Sequence, residues 1–182
     1  MKKPLLLLLL IISTNSFSQI KDGQNFCVET ADGDYFSLSI DKKKIIWADN
    51  SYVELKNDTK TFNGKIYIEY TQDWGDEKID KLYLREEEGV VYQYLEELNK
   101  EVIRYDKNFK KGHSWNASGK GKYTIISYDG KLHTRYCDYE NLLVIKAKID
   151  YGTFNFYYLK GHGYIGATTM DNKLISFITP QW

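Results

Sequence analysis

The stretch VVYQYLEELNKEVIRY, residues 90–105, decides the fold class of this chain. Leu95, Leu98 and Val102 stand at helical spacing, so periodicity alone allows one short helix here. Two strands joined by a turn at residues 97–100 fit the same periodicity equally well. We predict the two strands, which makes the whole chain an all-β protein.

Strand-like segments follow one another along the rest of the chain, separated by turn dipeptides at short spacing, as is typical of antiparallel all-β domains. Tyrosine occurs 16 times and phenylalanine 8 times. The further predicted strands are residues 43–48, 52–56, 65–72, 80–86, 142–149, 153–160, 163–170 and 173–179. We predict an antiparallel meander of about 10–12 strands, curled into a half-barrel or sandwich because exposed sheet edges aggregate, with a lipocalin-like barrel as an alternative.

Three turn dipeptides are predicted to close tight hairpins, because Asp, Asn and Gly tolerate positive φ angles. They are Asp32-Gly33, Asn63-Gly64 and Asp129-Gly130. At the first hairpin a two-residue turn places Cys27 opposite Leu38 and predicts that Cys27 is buried. At the third, Cys137 shares a face with His133 and Arg135, and this mixed face fits a partly exposed surface or a second layer.

The N-terminus, residues 1–18, is predicted to be a secretory signal peptide. A basic start precedes an apolar run at residues 5–12 and then small residues near the predicted cleavage site after Ser18. The apolar run is far shorter than the roughly 20 residues that span a bilayer. We therefore predict one soluble antiparallel β-domain, residues 19–182, without a membrane span, exported to the periplasm or the extracellular space.

Cys27 and Cys137 are the two cysteines of the chain, and export would place them in an oxidising compartment. A bond between them would close a loop of about 110 residues, which the chain-entropy model values at roughly 4–5 kcal/mol. Two buried thiols that act as small apolar side chains are the alternative. The pair is a candidate structural disulfide.

Nucleic-acid binding is not predicted. The chain carries 25 basic and 25 acidic residues, a formal net charge of zero, whereas nucleic-acid binding needs a concentrated positive field. One local basic run lies among aromatic residues: Lys107, Lys110, Lys111, Lys120 and Lys122, beside Phe109 and Trp115. This combination could stack on single-stranded nucleic acid, but a solvated loop whose lysines protect sheet edges is the preferred interpretation.

No catalytic residue, metal site or cofactor is predicted, and we expect that the protein is not an enzyme. The histidines, His113, His133 and His162, stand at no spacing that presets a metal site. Ser114 lacks the following glycine of a nucleophile elbow. The acidic stretch at residues 73–80 departs from the calcium-loop pattern and is predicted to be a solvated turn.

Aromatic residues alternate along the predicted strand at residues 153–160. One face carries Phe154, Phe156 and Tyr158, and the other carries Asn155, Tyr157 and Leu159. Such rows are normally core or cross-strand pairs. If exposed, the Tyr157 face could stack on sugar rings or line an apolar cavity.

Residues 83–115 resemble a recurring pattern in exported bacterial β-domains of uncharacterised function, and residues 158–166 resemble a later element of it. The matching positions are Leu84-Arg85-Glu86, Val91-Tyr92, Glu101, Tyr105-Asp106, Phe109, Gly112 and Trp115. The resemblance implies strands in residues 90–105, a lysine-rich turn at Gly112 and a strand entered at Trp115. It implies no activity.

Three functions are compatible with these observations. We predict an exported, non-enzymatic binding or interaction protein of the bacterial envelope, with its binding residues and partner unassigned. The first alternative is a lipocalin-like carrier of a small apolar ligand, which predicts a cavity lined by Tyr and Phe. The second is a periplasmic immunity protein that blocks a toxin, which predicts a filled core and an exposed patch.

Overall fold

The computed structural model describes residues 26–29, 33–117 and 121–180. The predicted signal peptide, residues 1–18, lies outside these ranges and stays a prediction. Within the described ranges the chain forms β-strands and one turn of 3-10 helix, which confirms the all-β fold class.

Twelve antiparallel strands form a single sheet in the described part of the chain, within the predicted number. A 3-10 turn, Glu96–Leu98, separates the fifth strand from the sixth. The strands are β1 (Lys42–Trp47), β2 (Asn50–Phe62), β3 (Lys65–Asp73), β4 (Ile79–Glu87), β5 (Val90–Leu95), β6 (Lys100–Asp106), β7 (Ser114–Trp115), β8 (Gly121–His133), β9 (Asp138–Ile149), β10 (Gly152–Leu159), β11 (Gly163–Thr169) and β12 (Leu174–Ile178).

The sheet consists of two six-stranded meanders that meet where β1 pairs with β12. Its strand order is β6-β5-β4-β3-β2-β1-β12-β11-β10-β9-β8-β7, so β6 and β7 are its two edges. Residues 107–113 join these edges directly. Because so short a link spans at most about 25 Å even when extended, the sheet has to curl until its edges approach each other.

Side chains from distant strands of the sheet meet in one interior core. Phe36 stacks on Tyr105 of β6 with ring centroids 4.7 Å apart, and on Tyr158 of β10 at 4.3 Å. The same core includes Tyr70 of β3 and Ile125 of β8. The sheet is therefore a meander curled into a half-barrel around a packed concave face.

The predicted strands at residues 90–105 are present as β5 and β6. Asn99, with a left-handed φ of 46°, ends the 3-10 turn between them. The Asn63-Gly64 turn is also confirmed: both residues have positive φ, 50° and 76°, and Phe62 pairs with Lys65 across it.

The predicted hairpin around Asp32-Gly33 is wrong. Residues 26–29 and 33–41 contain no strand where the structure describes them, so the register of Cys27 opposite Leu38 does not form. The segment instead places Phe26 in one core and Phe36 in another. Burial of these aromatic side chains replaces the pairing that the dipeptide indicated.

The predicted hairpin at Asp129-Gly130 is also wrong, because both residues lie inside β8. The register between β8 and β9 shifts on either side of Gly130. The chain turns later, where the Thr134 amide donates to the Cys137 carbonyl at 3.0 Å. Cys137 is buried, whereas His133 and Arg135 are exposed.

A disulfide joins Cys27 to Cys137, with their Cα atoms 5.4 Å apart. It ties the segment before the sheet to the turn that follows β8. Beside it, Phe26 contacts the His162 ring edge-on at 5.4 Å, and the Phe26 amide donates to the Pro180 carbonyl at 3.3 Å. The N-terminal segment is thereby fixed to the second meander without joining the sheet.

Candidate functional site

The concave face of the half-barrel contains a cavity of about 190 Å³. Its wall is largely aromatic and aliphatic, and its aromatic residues include Trp47, Tyr52, Tyr70, Phe156, Tyr158 and Tyr164. Both meanders and the segment before β1 contribute to it. The cavity therefore exists only because the sheet curls.

Strand alternation explains which side chains line the cavity. On β1, residues 43, 45 and 47 face inward, because side chains point alternately to the two faces of a strand. The same alternation selects residues 52 and 54 on β2 and residues 156 and 158 on β10. Each strand thus contributes a short row of side chains to one wall.

Lys43 is the most unusual residue of this wall, since only 5% of it is exposed. Its ammonium lies 6.0 Å from the centroid of the Phe26 ring. A side chain at position 163 would bring a Cβ within 3.2 Å of Lys43 Nζ, so Gly163 leaves room for the lysine head. No hydrogen bond or ion pair joins Nζ to another residue in the described ranges.

Glu54 is the nearest candidate counter-ion for Lys43, because the two residues are direct cross-strand partners of β1 and β2. The Glu54 carboxylate, however, accepts a hydrogen bond from Gln72 Nε2 at 2.8 Å. Burial lowers the pKa of Lys43 from its ordinary value, and Glu54 offsets part of that shift. The lysine thus sits in an environment that disfavours its charge.

Arg104 of β6 brings a second positive charge to the lining. Its Nη1 donates to Gln93 Oε1 at 2.8 Å. The lining thus contains two cationic side chains, Lys43 and Arg104, and the single carboxylate of Glu54. Cationic groups outnumber anionic ones at this wall.

Burial raises the pKa of four tyrosine hydroxyls of the wall and so favours their protonated, hydrogen-bond-donating form: Tyr52, Tyr70, Tyr158 and Tyr164. Burial raises the pKa of Tyr158 to about 12, and burial also raises the pKa of Tyr52. The Tyr70 hydroxyl donates to the Leu38 carbonyl at 2.9 Å. The Tyr164 hydroxyl is buried and has no hydrogen-bond partner among the described residues.

The aromatic strand at residues 153–160 alternates as predicted, but the faces have different roles. Phe156 and Tyr158 line the cavity. Tyr157 lies on the other face, buried in a separate core, and its hydroxyl is 3.2 Å from Thr168 Oγ1. Tyr157 is therefore not a sugar-stacking surface residue.

The three histidines lie apart, and none lines the cavity. His113 stacks on Phe109 with centroids 3.8 Å apart. His133 contacts Asp138 at the exposed end of the β8–β9 hairpin. His162 is buried, and its Nε2 lies 2.6 Å from the Val28 carbonyl oxygen.

The other polar residues that the sequence singled out make local contacts. Ser114 Oγ lies 2.8 Å from Thr124 Oγ1. In the β3–β4 turn, Asp73 accepts from the Gly75 amide and Asp80 from Trp74 Nε1, both at 2.9 Å. The described residues contain no group of three or more His, Cys, Asp or Glu side chains that could hold a metal ion.

The lysine-rich loop at residues 107–113 joins β6 to β7, the two edges of the sheet, and contains the turn at Gly112 that the resemblance implies. Its Gly112 amide donates to the Ile125 carbonyl at 2.8 Å, and β7 begins at Ser114. Phe109 and Trp115 contact each other with centroids 4.9 Å apart. These rings pack against each other, and Lys120 lies outside the described residues.

Sequence reasoning misses Lys43, since the pattern predicts it only as the first residue of a strand at residues 43–48. Three consecutive lysines, residues 42–44, look like a solvated surface run. The alternation of side chains along the strand is a signal that could have found it. Lys43 shares one strand face with Ile45 and Trp47, and the apolar character of those two residues indicates that this face is buried.

No helix in the described part of the chain is long and apolar enough to cross a membrane. No protein-family model and no curated protein matches the chain.

Two solved structures are similar to this chain. One is a Bacteroides fragilis protein described as a "putative exported protein with YMCC-like fold"; it is 9% identical, covers 81% of this chain and 97% of its own, and has a TM-score of 0.42. The other is a "putative lipoprotein" from Parabacteroides distasonis, with 11% identity, coverage of 81% and 96%, and a TM-score of 0.40.

Proposed function

We propose that the protein is an exported, non-enzymatic binding protein that holds one small molecule in the cavity of its curled sheet. The observation that carries this proposal is the aromatic cavity of about 190 Å³. Drug-sized ligands occupy pockets of roughly 300–1,000 Å³, whereas a cavity of about 150 Å³ admits benzene. The ligand is therefore a small molecule of about ten non-hydrogen atoms.

Two further features support this function. The predicted signal peptide at residues 1–18 and the Cys27–Cys137 disulfide suit a protein of an oxidising, exported compartment. The cavity, moreover, is built from strands of both meanders together with the packed segment before β1, which the disulfide helps to hold. The interaction-protein and immunity-protein hypotheses stay predictions.

The first experiment is native mass spectrometry of the mature protein, purified from the exported fraction and then titrated with small aromatic molecules such as benzamide. We expect a bound small molecule and a fluorescence change from Trp47, which lines the cavity. Trp47→Phe should remove the optical signal while binding remains visible by mass.

A cavity-filling variant locates the binding. Leu82 lines the cavity, whereas Leu98 is exposed in the 3-10 turn. Leu82→Phe should abolish binding, and the matched change Leu98→Phe should leave it intact. A protein that carries no extra mass and binds no small aromatic molecule would refute the proposed function.

A further inference from the structure

The charge of the ligand can be inferred from Lys43. Its ammonium has three donors and none of them is used by a residue in the described ranges, although 95% of the residue is shielded from solvent. A buried cation without a partner is costly, because desolvation is not offset by a hydrogen bond. The Lys43 ammonium therefore lacks a hydrogen-bond acceptor, and a ligand bound in the adjoining cavity could supply one.

Glu54, the anion of the cavity wall, does not provide the missing hydrogen-bond acceptor for Lys43. Glu54 is the cross-strand partner of Lys43, but its Oε2 accepts a hydrogen bond from Gln72 Nε2 at 2.8 Å. It is also the single carboxylate of the cavity lining, which contains Arg104 as a second cation. An occupant with one negative charge would balance the two cations against two anions. A neutral occupant would leave one cation unbalanced.

The other side chains of the cavity wall indicate what the uncharged part of the ligand should be. Trp47 and Phe156 contact each other with centroids 6.2 Å apart and present apolar surface to the cavity. A cationic donor beside an aromatic wall fits an amphipathic anion.

We propose that the ligand is a small monocarboxylate with an aromatic or aliphatic body, bound through its carboxylate by Lys43. This inference rests on the proposed function, because it names the ligand class of the same cavity. Charge-assisted hydrogen bonds from an ammonium to a carboxylate are short and stronger than neutral ones, and exclusion of water strengthens them further. The aromatic wall packs against the body of the ligand.

The test compares molecules of one shape and two charges. Benzoate and benzamide form one pair, and hexanoate and hexanamide form the other; each is titrated into the wild-type protein by calorimetry at neutral pH. We expect each carboxylate to bind about tenfold or more tightly than its amide, the ratio that one charge-assisted hydrogen bond provides. Lys43→Met should remove this preference, so that the acid and the amide of each pair bind with similar affinity.

Lys148→Met is the matched control, since Lys148 is an exposed lysine on β9 that does not line the cavity. It should retain the full preference for carboxylates. Equal binding of acid and amide by the wild-type protein would overturn the charge inference and leave the proposed function standing. A carboxylate preference that survives Lys43→Met would overturn the role of Lys43. Binding of neither pair would overturn the proposed function itself.

Discussion

Lys43 should destabilise the ligand-free protein. Replacing a buried charge with an apolar side chain of similar length removes a desolvation penalty, so Lys43→Met should raise the free energy of unfolding by about 1–3 kcal/mol. Urea titration of ligand-free protein measures this change. A variant that is less stable than the wild type would show that the ammonium has a stabilising partner.

The difference in unfolding free energy between Lys43→Met and the wild type should depend on pH in one direction. The pKa of Lys43 is lower in the folded protein than the ordinary value of 10.5, because burial disfavours its charge. The penalty is therefore fully present below the folded-state pKa and disappears as the pH rises to 10.5. The stability advantage of Lys43→Met should shrink over the same interval.

Glu101 is the opposite case, a carboxylate with several donors. Arg85 donates to it through Nε at 2.6 Å and Nη2 at 2.9 Å, and Lys65 Nζ donates at 2.9 Å. The Arg85 hydrogen bonds, opposed by burial and supported by Tyr67 and Lys65, lower the pKa of Glu101 to about 2. The charged form is therefore strongly favoured in the folded state.

Acid should consequently remove the stability that Glu101 contributes. That contribution is complete above the ordinary value of 4.5 and is lost as the pH falls through about 2. Glu101→Gln should cost about 1–2 kcal/mol at neutral pH, allowing for solvent screening, and the cost should vanish near the folded-state pKa. Glu87→Gln is the control, because Glu87 is an exposed partner of Arg85. Equal effects of the two substitutions at neutral pH would contradict this account.

At the scale of the element, the β2–β3 hairpin needs Gly64 for its backbone angle. Gly64 has a φ of +76°, and a Cβ there would meet nothing within 4 Å. Gly64→Ala should therefore destabilise the protein by about 1 kcal/mol through conformation alone. Gly64→Asn should cost less, since Asn tolerates left-handed angles, and thermal unfolding of both variants checks the order.

Gly130 in β8 needs its glycine for a different reason. A Cβ there would lie 2.2 Å from Val144 Cγ2 and 3.0 Å from the Leu142 carbonyl oxygen. Gly130→Ala and Gly130→Asn should both destabilise the protein, by about 1–3 kcal/mol, because either side chain overpacks the β8–β9 contact. Val144→Ala in the same chain should recover part of the loss. If Asn were tolerated as at Gly64, a turn at this position would be indicated instead.

These two glycines show how far the sequence predicts the fold. Asn63-Gly64 and Asp129-Gly130 are equivalent as local turn signals, yet only the first closes a hairpin. The local pattern gives the strands and the alternation of their faces, as in β5, β6 and β10. It does not specify which strand faces are covered by distant segments, and so it predicts a hairpin around Asp32-Gly33 where the chain instead buries Phe26 and Phe36.

The candidate site was harder to predict for the same physical reason. Trp47, Phe156 and Tyr158 could each be placed on one face of a strand, but the cavity forms where strands of both meanders and the segment before β1 come together. The burial of Lys43 could not be predicted from its neighbours in sequence, because residues 42 and 44 are also lysines and the run looks like an exposed surface. Lys43 is buried because the sheet curls, and the alternation of side chains along a strand does not predict how a sheet curls.

At the scale of the whole molecule, the Cys27–Cys137 disulfide holds a segment that no strand pairing secures. The bond closes a loop over a sequence separation of 110 and fixes Phe26 beside His162 on the second meander. The N-terminal segment also supplies Phe36 and Leu38 to the cavity wall. Loss of the bond should therefore affect both stability and the covering of the cavity.

Replacing both cysteines, Cys27→Ala with Cys137→Ala, should lower the free energy of unfolding by about 2–5 kcal/mol, because the unfolded chain regains the entropy that the long loop had removed. Hydrogen exchange should accelerate first at the Phe26 amide, whose bond to the Pro180 carbonyl lies outside the sheet ladder. Amides at residues 142–145 of β9, where consecutive side chains are buried on both faces, should keep their protection until global unfolding. Chemical reduction of the wild-type protein is the control and should reproduce both effects. Uniform acceleration across β9 and the N-terminal segment would instead mean that the disulfide supports the sheet itself.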